Sequence, residues 1–223
     1  MKKLKLSGIL LLSAFLLNTA TAQAKDYAYD FDYGALLGLG FNKNITDRFE
    51  ALVHTELWLN DNFTGYERIM PSATLTYTVI PKYLKAFVYY AYFHQSNKVH
   101  QHRYQVGLTG SYAAPHMTFS LSSRFEQTHK NGIPNNKWRN QLKAVGRISP
   151  SCHWNPFASI ELFEAMNSMN KTKLTGIERI RYEAGTTYSP CKLITLEMKL
   201  RAERLVAKKQ LYSSVGLGLK FNL

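Results

Sequence analysis

The chain has 223 residues, with 28 Lys or Arg against 15 Asp or Glu, so its formal net charge is +13. Hydrophobic residues make up 45% of the chain, which excludes a disordered protein, and two cysteines exclude a disulfide scaffold or a four-cysteine zinc site. After the N-terminal segment no apolar run reaches about 18 residues, which excludes transmembrane helices.

Residues 1–24 have the three parts of an export signal. A positive start is provided by Lys2, Lys3 and Lys5. An apolar stretch follows over residues 6–17, and the small residues Ala22 and Ala24 suit a signal peptidase groove. We therefore expect cleavage after Ala24, which leaves residues 25–223 as one domain. An uncleaved membrane anchor is the alternative, but the apolar stretch is short for that role.

From about residue 27 onward, apolar and polar residues alternate with a period of two. Near the C-terminus, Leu196 and Leu200 share one phase, and Glu197 and Lys199 share the other. In a β-strand the two sets point to opposite faces, whereas on a helix they would scatter around the cylinder. The alternation therefore predicts strands and no convincing helix.

The alternating stretches predict strand segments near 30–42, 48–60, 64–79, 83–96, 100–113, 116–129, 136–148, 155–166, 174–188, 192–205 and 210–223. Each is long enough to cross a bilayer as a tilted strand, which takes about 9–11 residues. Short turns and longer polar loops alternate between them, as in outer-membrane barrels. The predicted fold is an all-β, antiparallel, up-and-down transmembrane β-barrel. Because single-chain bacterial barrels usually have an even strand number, we expect about 10–12 strands and favour 12, with a short extra strand within residues 25–35.

A soluble β-sandwich or lipocalin-like barrel is the alternative fold, since it would also alternate and would also be exported. Its strands would be about 5–6 residues long, roughly half the length predicted here. It would also place its apolar face inward and a solvating polar face outward. The long segments and their paired acids and bases favour the transmembrane barrel.

The last segment resembles the C-terminal signal that the barrel assembly machinery reads. Gly216, Leu219 and Phe221 supply its glycine, its hydrophobic residue and its aromatic residue. Asn222 and Leu223 follow Phe221, whereas the usual signal ends on the aromatic residue. The segment predicts the barrel assembly machinery as a partner and the outer membrane of a Gram-negative bacterium as the location.

Several stretches resemble the outer-membrane barrels grouped as the domain-of-unknown-function 2490 family. They are residues 49–56, 60–63, 101–104, 122–126, 138–142, 157–163 and 179–185. These are loose patterns of Glu and Arg in strands and not a catalytic signature. The resemblance implies a barrel fold and an outer-membrane location, and it implies no activity and no cofactor.

Charged residues concentrate in one phase of the strands, which we assign to the lumen. The predicted lumen residues are Glu50, Glu56, Arg68, Arg103, Arg124, Glu126, Arg139, Lys143, Arg147, Glu161, Arg179, Arg181, Glu183, Glu197, Lys199, Arg201 and Glu203. Charges inside a narrow barrel must pair, because an unpaired buried charge costs several kcal/mol. The preferred interpretation is an ion-pair network that fills the lumen. A small anion-preferring pore is an alternative, since bases outnumber acids.

One short motif could carry catalysis. His94-Gln-Ser96-Asn resembles the His-x-Ser-Asn motif of outer-membrane phospholipase and lipid A deacylase barrels, in which the histidine activates the serine. A lipid-modifying acyl hydrolase using His94 and Ser96 is therefore the leading alternative function, ahead of the small pore. Against it, Lys98 replaces the glycine that commonly follows, and the neighbouring strand offers His100 and His102 in place of an orienting Asn or Glu. No nearby acid or cysteine completes a metal site with these histidines, so we predict no metal and no cofactor.

Cys152 and Cys191 both fall in turns that we place on the periplasmic side, where conditions are oxidising. The two turns are separated by roughly 10 Å of sheet, whereas a disulfide needs Cα atoms within about 7 Å. The sequence leaves both the bonded and the free state open.

Lysines concentrate in the longer connections, which we expect to face outward. These lysines are Lys98, Lys130, Lys137, Lys171, Lys173, Lys208 and Lys209. Their ammonium groups can replace some of the divalent cations that bridge lipopolysaccharide phosphates. The predicted partners are outer-membrane lipid and lipopolysaccharide, without nucleic acid, and the predicted state is a monomer. The predicted role is structural or in surface interaction.

Overall fold

The computed structural model of the chain is a closed barrel of β-strands. It describes residues 30–60, 65–96, 100–130, 133–147, 153–166, 176–206 and 210–223. The strands are β1 (Asp30–Asn44), β2 (Phe49–Asn60), β3 (Gly65–Ile80), β4 (Leu84–Gln95), β5 (His100–Ala113), β6 (Met117–Lys130), β7 (Ile133–Gly146), β8 (Trp154–Ala165), β9 (Ile177–Cys191), β10 (Ile194–Leu205) and β11 (Gln210–Asn222). The all-β barrel predicted from the alternation is confirmed. No part of the described chain forms a helix with the length and hydrophobicity of a membrane span.

The favoured strand number of twelve is wrong, because the described residues form eleven strands. Asp30–Asn44 is one continuous strand, and no separate strand precedes it between residues 30 and 35. Each strand pairs antiparallel with its sequence neighbours, and β1 closes the barrel by pairing with β11. An odd number makes these two strands run in the same direction, so the closing seam is parallel, with Asp30 opposite Gln210 and Asn42 opposite Asn222.

Side chains alternate between the outer surface and the lumen, and the outer surface is apolar. Val106 is 55% exposed, for example, whereas the adjacent Gln105 faces the lumen and is 8% exposed. The exposed aliphatic side chains include Leu37, Leu39, Val53, Leu75, Val88, Val106, Leu108, Leu121, Leu142, Ile160, Met198, Leu200, Val215 and Leu217. This polarity is the reverse of a soluble sandwich or lipocalin-like barrel, and hydrocarbon surroundings stabilise such a surface where water does not.

Aromatic side chains flank this aliphatic band at both ends of the barrel. At the end where β1 meets β2, Phe41 stacks on Phe221 with ring centroids 5.4 Å apart, and the ring of Phe49 lies tilted against Tyr77 at 4.8 Å. Exposed aromatic residues near the opposite end include Tyr90, Tyr104, Trp138 and Tyr182. Two aromatic girdles around an aliphatic band are typical of barrels that cross a bilayer.

The predicted assembly residues lie along the closing seam. Gly216 faces the lumen, where a Cβ atom would lie 2.7 Å from Cγ of Lys199. Leu219 and Phe221 point outward, opposite Leu39 and Phe41 of β1. These three residues therefore help to close the wall in the folded barrel, whatever their part in assembly.

Gly185 marks a close approach between β9 and β10. A Cβ atom at this position would lie 2.2 Å from the carbonyl oxygen of Met198, which no L side chain tolerates without a backbone shift. Glycine inside a strand commonly marks such a tight bend of a barrel wall.

Candidate functional site in the barrel lumen

Six successive strands place charges of alternating sign in the lumen. In strand order from β5 to β10, these residues are Arg103, Glu126, Arg139, Glu161, Arg181 and Glu203. We call this set the lumenal ion-pair chain. Four of its members are among the most buried charged residues of the barrel, with exposures of 1% for Glu161, 2% for Glu126, 4% for Arg139 and 6% for Glu203.

Each neighbouring pair of the lumenal ion-pair chain is in contact. Nε of Arg103 lies 3.4 Å from Glu126, and Arg139 bonds both Glu126 and Glu161, the latter at 2.8 Å. Arg181 continues the chain, with Nη1 3.1 Å from Glu161 and Nε 2.8 Å from Glu203. The strand register produces these contacts, because Arg181 lies directly opposite both glutamates in its two ladders.

Further arginines surround the same carboxylates. Arg124 also bonds Glu161, and Nη1 of Arg179 lies 2.9 Å from Glu203. One strand away, Nε of Arg201 lies 2.6 Å from Glu183. Glu161 thus receives guanidinium groups from three strands, which compensates for the removal of its carboxylate from water.

Aromatic rings hold the guanidinium groups from one side. Phe163 lies under Arg139, Arg179 and Arg181, at 4.3, 5.2 and 4.9 Å from ring centroid to guanidinium carbon. Trp58 lies 3.9 Å from Arg68, and its Nε1 donates to Glu56 at 3.1 Å. The contacts between these rings and the guanidinium groups are cation–π interactions, which are stronger where water is excluded.

The sequence interpretation missed these aromatic residues, although a signal for them exists. Phe163 lies two residues after Glu161, and Trp58 lies two residues after Glu56. Residues two apart in a strand point to the same face, so the alternation alone places both rings in the lumen. Phe93 alternates with Tyr92 and His94, so it points to the opposite face, into the lumen. Its ring is 1% exposed and lies 4.4 Å from the Arg103 guanidinium.

Other predicted lumen residues form local pairs toward the ends of the barrel. Glu50 pairs with Lys85 at 3.3 Å, and Glu197 pairs with Lys199 on its own strand at 2.8 Å. Lys143 lies 4.3 Å from the Phe157 ring. Arg147 was also predicted for the lumen, but it follows the last residue of β7 and is exposed.

The lysines predicted for the longer loops have mixed positions. Lys137 lies within β7, not in a loop, and it bonds Glu178 inside the barrel. Lys130 is the exposed last residue of β6. The other predictions, on Lys98, Lys171, Lys173, Lys208 and Lys209, fall outside the described residues. Cys152 falls outside them as well, and Cys191 is an exposed free cysteine at the end of β9.

His94 and Ser96 lie at the end of β4 and are both exposed. The His94 ring lies 5.4 Å from the His100 ring, and the Ser96 backbone N–H donates to Glu67 at 2.9 Å. Within the described part of the chain, no hydrogen bond joins the His94 side chain to Ser96. Across the same ranges, no group of three or more His, Cys, Asp or Glu residues is placed to hold a metal ion.

Among the described residues, Arg103, Arg181 and Trp58 line two neighbouring cavities in the lumen, of about 470 and 300 Å³. The larger one also contacts Ile133 and Lys130 at the connection between β6 and β7. The smaller one contacts Phe87 and Thr74, toward the other end of β4 and β3.

A family model described as "Protein of unknown function (DUF2490)" matches residues 34–205, from β1 to the end of β10. No curated protein sequence matches the chain. Among solved structures, the chain is similar to a bacterial polysaccharide outer membrane secretin, with 13% identity, a TM-score of 0.49 and coverage of 78% of this chain and 63% of that chain. It is also similar to an anion-selective porin from Comamonas acidovorans, with 13% identity, a TM-score of 0.38 and coverage of 80% of this chain and 54% of the porin. A third similar structure is LpxR from Salmonella typhimurium, with 10% identity, a TM-score of 0.46 and coverage of 78% of this chain and 83% of LpxR. The chain therefore spans less than two thirds of the first two structures.

Proposed function

Because the chain belongs to the DUF2490 family, we propose that it is a monomeric outer-membrane β-barrel of a Gram-negative bacterium whose own charged side chains close its lumen. Its exposed aliphatic band between two aromatic girdles supports a position in a bilayer. The export signal over residues 1–24 and the C-terminal assembly signal are parts of the same proposal.

The main support for a closed lumen is the lumenal ion-pair chain. Side chains fill barrels of about eight strands, and open aqueous channels appear near about sixteen, so at eleven strands side-chain bulk decides. Charges that line an open channel stay hydrated, whereas Glu126, Arg139 and Glu161 are almost fully buried and bonded to one another. Opening a path through them would separate pairs whose members are costly to leave alone.

A closed barrel crosses the membrane without making it permeable, which suits a structural or surface-interaction role. Exposed basic residues such as Lys130, with the loop lysines of the sequence, would contact lipopolysaccharide phosphates at the rim. The basic residues outside the lumen would then bind the anionic surface of the membrane.

Planar bilayer recording tests the closed lumen. The refolded, unmodified protein is expected to give negligible conductance at neutral pH. A variant that carries Glu126→Gln, Arg139→Gln and Glu161→Gln removes the centre of the ion-pair chain and is expected to conduct or to lose stability. A variant with Lys85→Gln and Glu50→Gln, a half-exposed pair near one end, serves as the control and is expected to stay closed.

A small anion-preferring pore is the second candidate, because arginines outnumber glutamates around the lumenal ion-pair chain. The same recording separates the two functions. Steady, stepwise conductance from the unmodified protein, with a reversal potential that favours chloride over potassium, would contradict the closed lumen and support the pore.

A further inference from the structure

The 470 Å³ cavity near the connection between β6 and β7 has a basic lining. Among the described residues that line it, six are basic, and Glu126 is the one acid. The basic residues are Arg68, Arg103, Lys130, Lys137, Arg179 and Arg181. The volume lies within the range of about 300–1,000 Å³ that small-molecule sites occupy.

Internal ion pairs neutralise only part of this lining. Arg181 bonds two glutamates and Lys137 bonds Glu178. Arg103 and Arg179 pair with Glu126 and Glu203, but each of these glutamates is shared with another arginine. Among the described residues, Arg68 has one acidic partner, Glu67, at 3.6 Å. The cavity therefore keeps an excess of positive charge after the pairs are counted.

Three of the lining arginines hold an unused hydrogen-bond donor. The Nε atoms of Arg68, Arg103 and Arg179 are buried, and within the described ranges none of them makes a hydrogen bond. Nε of Arg103 lies 3.4 Å from Glu126, but this ion-pair contact lacks hydrogen-bond geometry. Each Nε carries a hydrogen that can only be donated. A buried donor without an acceptor costs about 1–3 kcal/mol, so an arriving anion would satisfy donors that the barrel itself leaves open.

The same three arginines are positioned by rings. Arg68 lies 3.9 Å from the Trp58 ring, Arg103 lies 4.4 Å from the Phe93 ring, and Arg179 lies 5.2 Å from the Phe163 ring. A guanidinium that rests on a ring face keeps its donors free, because all of them lie in its plane. Such a side chain is already ordered, so little conformational freedom remains to be lost on binding.

We propose that this cavity is a binding site for a phosphate group, with Arg68, Arg103 and Arg179 as its ligands. Three separate guanidinium groups match the several oxygens of a tetrahedral phosphate better than the two oxygens of a carboxylate. The phosphate is either the free ion or the phosphomonoester of a small organic molecule, for which the cavity has room. This site goes beyond the closed lumen, since a recess can bind a ligand without letting it pass.

Calorimetric titration of the refolded, full-length barrel in detergent tests the site. The probes are inorganic phosphate, glucose 1-phosphate and acetate. Saturable binding of one or both phosphates, with acetate at least about tenfold weaker, is the expected result. The tighter of the two phosphates identifies the free ion or the ester as the ligand. The absence of saturable phosphate binding, or equal affinity for acetate, overturns the proposal.

Two substitutions locate the binding. Arg68→Gln is expected to weaken phosphate binding about tenfold or more. Arg68→Lys is expected to weaken it by a smaller factor, because lysine keeps the positive charge but lacks the planar set of guanidinium donors. Lys143→Gln removes a positive charge beside Phe157, outside both cavities, and is expected to leave affinity unchanged. Equal weakening in the Arg68 and Lys143 variants would overturn the proposal in favour of a general charge effect. Folding is checked by heat-modifiable migration, and Arg68→Lys decides the outcome if Arg68→Gln does not fold. The titration needs no membrane, so its result is independent of the conductance test.

Discussion

Arg181 and Glu203 face each other directly across the β9–β10 ladder, with Nε of the arginine 2.8 Å from Oε1 of the glutamate. The same guanidinium reaches Glu161 on the other side, where β8 pairs with β9. One side chain therefore joins carboxylates from both of its neighbouring strands. A slip of one residue in either ladder would turn a partner outward, so the ion pairs and the strand register support each other.

Arg181→Gln is expected to lower the free energy of unfolding by about 1.5–3 kcal/mol, because it removes charge-assisted hydrogen bonds to two buried carboxylates. Glu161 keeps Arg139 as a partner and Glu203 keeps Arg179, so neither charge is left alone. Urea unfolding of the refolded barrel in detergent, followed by heat-modifiable migration, measures the loss. The matched control is Lys85→Gln, which breaks the half-exposed pair with Glu50 and is expected to cost about 0–1 kcal/mol. Similar losses in the two variants would show that the lumenal pairs are no stronger than rim pairs.

The double variant with Arg181→Gln and Glu203→Gln is expected to lose less than the sum of its two single variants. Once Arg181 is absent, Glu203 has already lost one of its two close guanidinium partners, so removing its carboxylate costs less than in the intact barrel. The same urea measurements on the two single variants and the double variant give the coupling free energy. A coupling energy of zero would mean that the 2.8 Å contact contributes nothing to stability.

Phe163→Leu is expected to cost about 1–3 kcal/mol in the free energy of unfolding, because it removes the ring that three guanidinium groups share. Phe157→Leu is the control, since Phe157 is also buried but, among the described residues, has one cation over its ring, Lys143. We expect the control to lose clearly less stability in the same urea assay. Equal losses would assign the effect to hydrophobic packing and not to the cation–π contacts.

Gly185→Ala is expected to reduce the yield of refolded barrel strongly, because its Cβ would lie 2.2 Å from the Met198 carbonyl oxygen. Gly110→Ala is the matched substitution in another strand, where the carbonyl oxygens of Leu121 and Tyr83 would lie 4.0 Å from the new Cβ, and it is expected to refold normally. The fraction of heat-modifiable protein after refolding measures both. Normal refolding of the Gly185 variant would show that β10 can move away from β9.

Val106→Arg is expected to cost about 2–4 kcal/mol in lipid vesicles, since Val106 belongs to the exposed aliphatic band. Ile45→Arg places the same side chain in the exposed turn between β1 and β2 and is expected to be nearly neutral. Urea unfolding in vesicles gives both values. A neutral effect at Val106 would contradict the position of this band in hydrocarbon.

Alternation along the chain was sufficient to predict the strands, because inward and outward residues differ in polarity wherever one face meets apolar surroundings. It could not give the strand number, since the pairing of β1 with β11 joins residues that are far apart in sequence. It also misplaced Lys137, because strands β6 and β7 continue to Lys130 and from Ile133. Near the rim both faces are polar, so a strand there has the composition of a loop.

The ion-pair partners were harder to predict than the lumenal phase. The alternation places Arg139 and Glu161 on the same face of the barrel wall. Their contact is nevertheless diagonal, because the residue directly opposite Arg139 in the ladder is Phe163 and not Glu161. Which diagonal neighbour an arginine reaches depends on the shear of the closed sheet and on the ring beneath it. Neither quantity is readable from a single strand.

The parallel seam also separates the two ends of the barrel wall. An even number of strands returns the chain to the rim from which it started, whereas here the wall begins with Asp30 at one rim and Leu223 donates its N–H to Asn42 at the opposite rim. In the outer-membrane position proposed above, two reporters, one fused immediately before Asp30 and one fused after Leu223, would consequently stand in different aqueous compartments. A protease added to intact cells would then reach only one of them.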